Sequence, residues 1–312
     1  MKPLSIIILI VIFFSGIKCY HSKKINDSAK ALFPQELVQF VAYQNNPLFS
    51  GTGDSTWDKK IRERGYIIKE DSIYHLWYTG YASNDGNRSL GYATSTDGIN
   101  FTRYLQNPIH HSSWVEDICV VKSADRYYMF AEGKGDSAHL LISKDKINWE
   151  EKGNLDIRQT NGKPISSGPF GTPAVIIEKG LWYLFYERND LGIWLATSKD
   201  LSIWTNVQDE PVLKMGPELY DQFAVAMNQV IKYKGLYYGY YHASAFKDWH
   251  EWSTNVAVSS DLIHWKKYPN NPIIGNNKSS GILVNDGKFF RLYTMHNKIN
   301  LFFSERAATF SN

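Results

Sequence analysis

Seven carboxylates in this 312-residue sequence stand where short apolar runs begin or end: Asp58, Glu63, Glu116, Asp117, Glu132, Glu187 and Asp221. A strand end inside a fold ordinarily carries Val or Ile, and a buried acid there needs a partner, a proton or a chemical task. Glycosidic bond cleavage calls for such acids. One carboxyl protonates the leaving oxygen, and a second activates water or attacks the sugar. Their surroundings must push the two pKa values apart, and a third charged group helps to do so. Arg62, Arg64 and Arg188 lie among the acids, able to pair with them or to clamp an anionic group, and His242 and His296 follow at related places. Adjacent strand residues face opposite ways, so only one member of each neighbouring pair, Glu116-Asp117 or Arg-Glu, is expected to face a shared pocket.

The elements that must position these residues repeat. YYMFAEG around Glu132, WYLFYER around Glu187 and YYGYYHA around His242 are 55 residues apart at each step. YHLWYTG, ending at Thr79-Gly80, lies 53 residues upstream of the first, and FFRLYTMH reaches His296 downstream. A second marker, Ser-x-Asp-x-x-x-aromatic, runs alongside as Ser95-Asp97-Phe101, Ser143-Asp145-Trp149, Ser198-Asp200-Trp204 and Ser259-Asp261-Trp265. Its Ser and Asp suit the amides of a tight turn, and its aromatic suits a plug between layers. Short aromatic strands at this period predict an all-β fold, a five-bladed β-propeller with a short N-terminal helical extension. The expected organisation is a signal peptide over 1–19, an extension over 20–45 and the propeller over 46–312. The blades fall at 57–110, 111–165, 166–218, 219–275 and 276–306, and a strand near Asn46 to Gly51 completes the last and closes the ring. Residues 28–43 read as a helix around Leu32, Leu37, Phe40 and Val41. Inner strands begin near Arg62-Glu63-Arg64, Glu116-Asp117, Gly171-Thr172, Asn228-Gln229 and Ser279-Ser280. The plainer alternative for these polar residues is that they hydrogen-bond around a wet channel and hold the blades in register. Glu132 is matched by Glu187 and then by His242, whereas Asp117 has no acidic equivalent in the third and fourth repeats. Asp117 is therefore the first candidate for chemistry.

Aromatics are 15% of the chain and the formal net charge is +3. The first suits pleated β faces and sugar stacking; the second, with no basic run interleaved with aromatics, argues against a nucleic-acid partner. Lys2, the apolar run Leu4 to Phe14, and Ser15-Gly16 describe a secretory signal peptide, too short for a membrane span. A periplasmic or secreted protein is expected. Lys18 before Cys19 makes a lipid anchor the lesser reading. Cleavage near Cys19 leaves Cys119 alone, with no internal disulfide. The oligomeric state is not legible.

The five repeats, the Ala-Thr-Ser-x-Asp turns (Ala93 to Asp97, Ala196 to Asp200), the steps Asn107-Pro108-Ile109 and Asn271-Pro272-Ile273, and the paired acids resemble the five-bladed propeller glycosidases. These are glycoside hydrolase families 43, 117 and 130, the last comprising mannoside phosphorylases and mannosidases. The likeness covers about residues 46 to 306. WDKKIRERG, WVEDICVV, GPFGTPA and WYLFYER are most similar to a group of secreted propeller glycosidases from polysaccharide-degrading bacteria. The resemblance implies an exported hydrolase cleaving a plant or algal oligosaccharide. In family 43 terms, Asp117 takes the second-blade role of tuning the acid, and Asp58 or Glu63 takes the first-blade base. The third-blade acid position is Thr172, so the acid role passes to Glu187, with Glu132 behind it. A histidine near the acid in family 117 makes His242 a candidate. Two alternatives stand beside hydrolysis. One is a family-130-like phosphorylase, with Arg62, Arg64 or Arg188 on inorganic phosphate. The other is a non-catalytic propeller that binds glycans through Trp57, Trp114, Trp194 and Trp252. Some relatives hold calcium in the channel; no dense ligand motif for it is present here.

Overall fold

The computed structural model describes residues 32–53, 55–84 and 86–307; the signal peptide and the first part of the extension lie outside the described residues. Five sheets follow in chain order, antiparallel but for one short parallel pairing at the edge of the third. Blade one runs Lys60–Glu70, Ile73–Tyr81, Ser89–Ser95 and Thr102–Arg103. Blade two runs Glu116–Ser123, Arg126–Gly133, Ser137–Ser143 and Glu150–Asn154, and blade three runs Ala174–Glu178, Leu181–Glu187, Gly192–Ser198 and Ile203–Asn206. Blade four has Ala224–Tyr233, Leu236–Ser244, Ser253–Ser259 and Trp265–Lys267. Blade five has Ile282–Asn285, Phe289–Met295 and Lys298–Ala307. The first strand of each blade packs against the first strands of both neighbours, closing a ring. Central strands are covered on both faces, which is why Tyr74 to Gly80 is one unbroken buried run.

The Ser-x-Asp turns do as the sequence predicts. Asp97 Oδ1 accepts the amides of Ile99 and Asn100 at 2.8 Å, and Ser95 Oγ accepts that of Gly98 at 2.9 Å. Asp145, Asp200 and Asp261 repeat the arrangement. Each turn's aromatic reaches into the preceding blade. Trp149 meets Trp77 at 6.1 Å, Trp204 meets Phe130 at 5.8 Å and Trp265 meets Phe185 at 5.7 Å. Phe101 meets Tyr293 of blade five at 6.5 Å. The Asn-Pro steps have a related use. Asn46, Asn107 and Asn271 each give and take a side-chain hydrogen bond with the backbone of a third strand, at Leu301, Tyr92 and Val256 respectively.

Blade five is closed by the N-terminal segment, in two pieces where one is expected. Phe49–Ser50 pairs with Lys298–Ala307 at Ile299, within the predicted stretch. Phe40–Ala42 pairs with the same strand at Ser304, Phe303 and Phe302, although the sequence pattern places it in a helix. The helix is only Gln35–Val38, because Gln39 is already extended (φ −118°, ψ 116°) and the open strand edge takes the next residues. Leu37 and Phe33 bury against blades four and five, with Phe33 on the Tyr268 ring at 5.0 Å and the Tyr240 hydroxyl donating to Leu37 O at 2.8 Å. A second departure is Asp156–Arg158, expected in blade two, which pairs in parallel with Ile203–Asn206 of blade three.

Because Leu37 is completely buried in this seam, Leu37→Ala is expected to cost about 3 kcal/mol in denaturant unfolding. A loss below about 1 kcal/mol would mean that the segment is not part of the cooperative core.

Candidate active site

At one mouth of the channel the inner strands leave regular geometry. Glu63, Asp117, Thr172 and Ser280 sit at φ 40°, 46°, 45° and 56° at corresponding places in four blades. In blades one and two the pairing slips there, between Arg62 and Tyr66 and between Glu116 and Cys119. A bulge of this kind bends the strand and re-aims side chains. A non-glycine residue at positive φ is a local cost, sustained only where the surroundings enforce it. Its effect here is to break the simple alternation. Arg62 and Glu63 both line the pocket, and Asp117 lines it while Glu116 turns aside.

Arg64 is what enforces this geometry. Its side chain is fully buried on the channel axis and donates to Met227 O at 2.8 Å, Asn228 O at 2.9 Å, Pro173 O at 2.7 Å and Asp117 O. One guanidinium from blade one thus fastens the inner strands of blades two, three and four. Only a planar fork with several donors can serve carbonyls arriving from three directions. Its Nε is also 3.9 Å from Asp117 Oδ1.

Above Arg64 lies a cavity of about 240 Å³ whose lining includes Arg62, Glu63, Asp117, Glu132, Asp136, Glu187, Asp190, His242, Trp249, Trp252 and His296. Two acidic groups face each other across it. On one side an oxygen from each of Glu63, Glu116 and Asp117 lies within 4.8 Å of the others. On the other side Glu132 Oε2 accepts the Thr172 amide at 2.8 Å, and Glu187 Oε1 accepts that of Gly171 at 3.1 Å. Glycine at 171 leaves room for this arrangement, since a Cβ there would displace the carboxylates of Glu132 and Glu187. Burial pushes the Asp117 carboxyl up to about 8, with the Glu63 charge adding to it against the pull of Arg64. Burial also raises Glu116 to about 7, although Arg62 pulls the other way. Glu132 and Asp190 are driven well above the usual carboxylate range by burial and then by neighbouring acids, and Glu187 is raised mainly by burial. Burial lowers His242 to about 3 and lowers His296 too, so both rings are neutral at pH 7. The site therefore holds protons on carboxyls at neutral pH, the property a general acid needs.

Of the residues singled out by sequence, Asp117, Glu187, Glu63, Glu132, His242, Arg62 and His296 are brought together here, with Trp252. The others are placed elsewhere. Asp58 is buried under Trp57 in blade one and bound by Arg103 at 2.9 Å, the Tyr78 hydroxyl at 3.1 Å and Thr52 at 2.7 Å, a structural pairing. Trp57 itself stacks on Tyr78. Glu116 is held by the Trp114 indole at 2.8 Å, by Arg62 and by Arg88, so it steadies Arg62 from behind. Arg64 is too deep to touch a ligand. Arg188 turns away to the carbonyls of Ser166 and Ser167 and shares a separate depression with Trp194. Asp221 is closed off by Lys267 at 2.5 Å. Trp114 lines a neighbouring groove on blade two.

The sequence reading misses Asp136, Asp190 and Trp249. Asp190 follows Glu187 by three residues and its amide bonds back to Glu187 Oε2, a local turn that could have flagged it. Trp249 sits in the aromatic loop AFKDWHEW at φ 54°, its ring 6.0 Å from Trp252, whose own ring meets His242 edge-on at 4.9 Å. Glu63, Glu116 and Asp117 have the spacing of a hard-cation site, but the Arg62 guanidinium already pairs with Glu63 (3.1 Å) and with Glu116. Cys119 is free and buried. No described helix is long and apolar enough to cross a membrane.

No protein-family model matches the chain. It is 27% identical over 230 residues to a 1,2-β-oligomannan phosphorylase of Thermoanaerobacter sp. (strain X514), covering 67% of this chain and 73% of that one. It is 31% identical over 187 residues to a β-1,2-mannobiose phosphorylase of the same organism, covering 51% and 58%, so it spans little more than half of that relative. Among solved structures, the β-1,2-mannobiose phosphorylase of Listeria innocua superposes with a TM-score of 0.68 at 16% identity, over 86% of this chain and 96% of that one. A structure from work on glycoside hydrolase family 130, described as mannoside phosphorylases that include hydrolases targeting β-1,2 mannosidic linkages in Candida mannan, gives 0.64 at 16%, over 87% and 96%. The fold is that of the five-bladed propeller glycosidases, as the sequence resemblance implies.

The raised carboxyls have a stability consequence. A carboxyl whose folded pKa exceeds its unfolded value binds its proton more tightly when folded, so stability falls as pH rises from the unfolded to the folded value. For Asp117 that window runs from 3.8 to about 8. The Tm of wild type is expected to fall across it, and Asp117→Asn is expected to gain most over wild type at its alkaline end. A difference between the two proteins that does not change with pH would contradict the assignment.

Proposed function

We propose that this protein cleaves a β-mannosidic bond of an oligosaccharide at the channel mouth, with Asp117 as the general acid. The observation that carries the reading is Asp117 itself: a buried carboxyl pushed up to about 8, re-aimed into the pocket by its bulge, with other acids on the facing wall. Protonating the leaving oxygen requires a group that still carries its proton at working pH and loses it readily to the transition state. Trp249 and Trp252 offer ring faces for the apolar side of a pyranose. Mannoside as the substrate class is supported by the sequence relatives, both of which act on β-1,2-linked mannose.

For the attacking group, those same relatives favour phosphorolysis over the hydrolysis read from sequence, with inorganic phosphate docking against Arg62. Hydrolysis is kept as a second reading on one specific observation. Among the described residues Arg62 is the only Arg or Lys lining the cavity, against six carboxylates: Glu63, Asp117, Glu132, Asp136, Glu187 and Asp190. Such a field disfavours a phosphate dianion unless several of the acids stay protonated, and Glu187, whose charged form the amides of Gly171 and Asp190 favour, could activate a water instead. Export, proposed from Leu4 to Phe14, sides with hydrolysis, since a sugar phosphate made outside the cytoplasm is hard to use.

The test is product analysis on β-1,2-mannobiose with and without inorganic phosphate. Mannose 1-phosphate formed only with phosphate establishes phosphorolysis, and free mannose at an unchanged rate establishes hydrolysis. Either way kcat/KM should fall on an alkaline limb near 8, where Asp117 ionises, and Asp117→Asn should lower kcat by about 10²–10⁴-fold. Full activity in a folded Asp117→Asn protein would reject the acid assignment.

A further inference from the structure

Beside the catalytic mouth, blade two carries a second cavity of about 500 Å³ that the chemistry above does not use. Its lining includes Asn87, Trp114, Lys134, His139, Glu151 and Asn154. It opens next to the active site on the same strand: Glu132 faces the catalytic pocket, and the next residue, Gly133, lines the groove. Trp114 belongs to the groove, yet its indole Nε1 donates to Glu116, which in turn holds Arg62 of the catalytic pocket. The two cavities are thus joined by a chain of direct contacts.

His139 shows what the groove lacks. The ring is 98% buried, and its Nδ1 lies 2.7 Å from Glu151 Oε1. The Glu151 carboxylate accepts the Nδ1 proton and so fixes the ring's orientation, leaving Nε2 as the ring nitrogen open to a ligand. That Nε2 is buried and has no hydrogen-bond partner among the described residues. A buried ring nitrogen left unmatched carries a desolvation cost that a hydrogen-bonding ligand would recover. A hydroxyl fits, because it can donate to Nε2 or accept from it, and Asn87, Asn154 and Lys134 of the lining offer further donors. The charged groups of the lining, Lys134 and Glu151, are of opposite sign and so select neither an anion nor a cation. Trp114 supplies the apolar face that a pyranose ring would stack on.

We propose that this groove is an accessory sugar subsite, which holds a neutral hexose unit of the same glycan whose bond is cleaved next door. The subsite rests on the glycan reading above, and it makes the enzyme prefer chains long enough to span both cavities.

The experiment uses the full chain with β-1,2-mannobiose and the corresponding tetrasaccharide, comparing wild type, His139→Leu and the more conservative surface variant Asn154→Ala/Lys134→Ala. Wild type should show a KM for the tetrasaccharide about tenfold below that for the disaccharide. Both variants should lose that advantage while keeping kcat on the disaccharide, and His139→Leu serves only if its unfolding transition stays cooperative. A chain-length preference unchanged in the surface variant overturns the proposal, as does its absence from wild type. Binding to catalytically inactive Asp117→Asn, read by ligand-observed NMR, separates this idea from the catalytic one. Tetrasaccharide contacts that vanish with the groove substitutions support the subsite even if no mannoside is turned over. Tetrasaccharide contacts that persist in the substituted protein refute it even if turnover is fast.

Discussion

Arg64 is the interaction on which the rest of the structure depends. A guanidinium with no access to water is expensive unless its donors are met. Here carbonyls of Asp117, Pro173, Met227 and Asn228 meet both terminal nitrogens, while Nε makes no hydrogen bond among the described residues and lies 3.9 Å from Asp117 Oδ1. Those carbonyls belong to three other blades, so the contact that satisfies the charge also sets how far apart the inner strands sit at the mouth. Asp117 is tied twice, by its own carbonyl and through the nearby Nε. Its positive φ is a strained choice that this tether makes affordable. The side chain that results points into the pocket, next to Glu63, with burial holding its proton on.

The site is built by opposing two groups of acids rather than by pairing each with a base. Arg62 pairs with both Glu63 and Glu116 at one wall, and Arg88 approaches Glu116 as well. The other wall uses backbone amides of Gly171, Thr172 and Asp190 on Glu187 and Glu132. Such donors fix geometry without adding a mobile cation, and they leave burial as the dominant influence on the carboxyls. A protein with this arrangement trades folding stability at alkaline pH for proton-bearing groups at neutral pH, a trade expected where raised carboxyl pKa values serve catalysis.

Much of the fold was legible because it is written in repeats. The period of YYMFAEG, WYLFYER and YYGYYHA gives the blade count, and the Ser-x-Asp turns carry both their hydrogen bonding and their aromatic plugs in local sequence. Phe40–Ala42 was not legible, since its apolar spacing suits a helix and only the open edge of the last blade makes it a strand. Depth was the larger gap. Arg62 and Arg64 look alike in sequence, yet one faces the cavity and the other the axis, because a bulge falls between them at an acidic residue rather than a glycine. Asp58 looked catalytic because its partner Arg103 is 45 residues away. Trp249 and Asp190 come from loops outside the repeat, where periodicity has nothing to say.

Everything proposed for the site turns on the Arg64-tethered bulge presenting Asp117 as a carboxylic acid, not a carboxylate, at neutral pH. The most direct measurement is the ¹³C shift of the Asp117 carboxyl, followed through a pH titration and assigned by its loss in Asp117→Asn. Burial beside Glu63 predicts a midpoint raised to about 8. A midpoint close to the ordinary aspartate value of about 3.9 would contradict it.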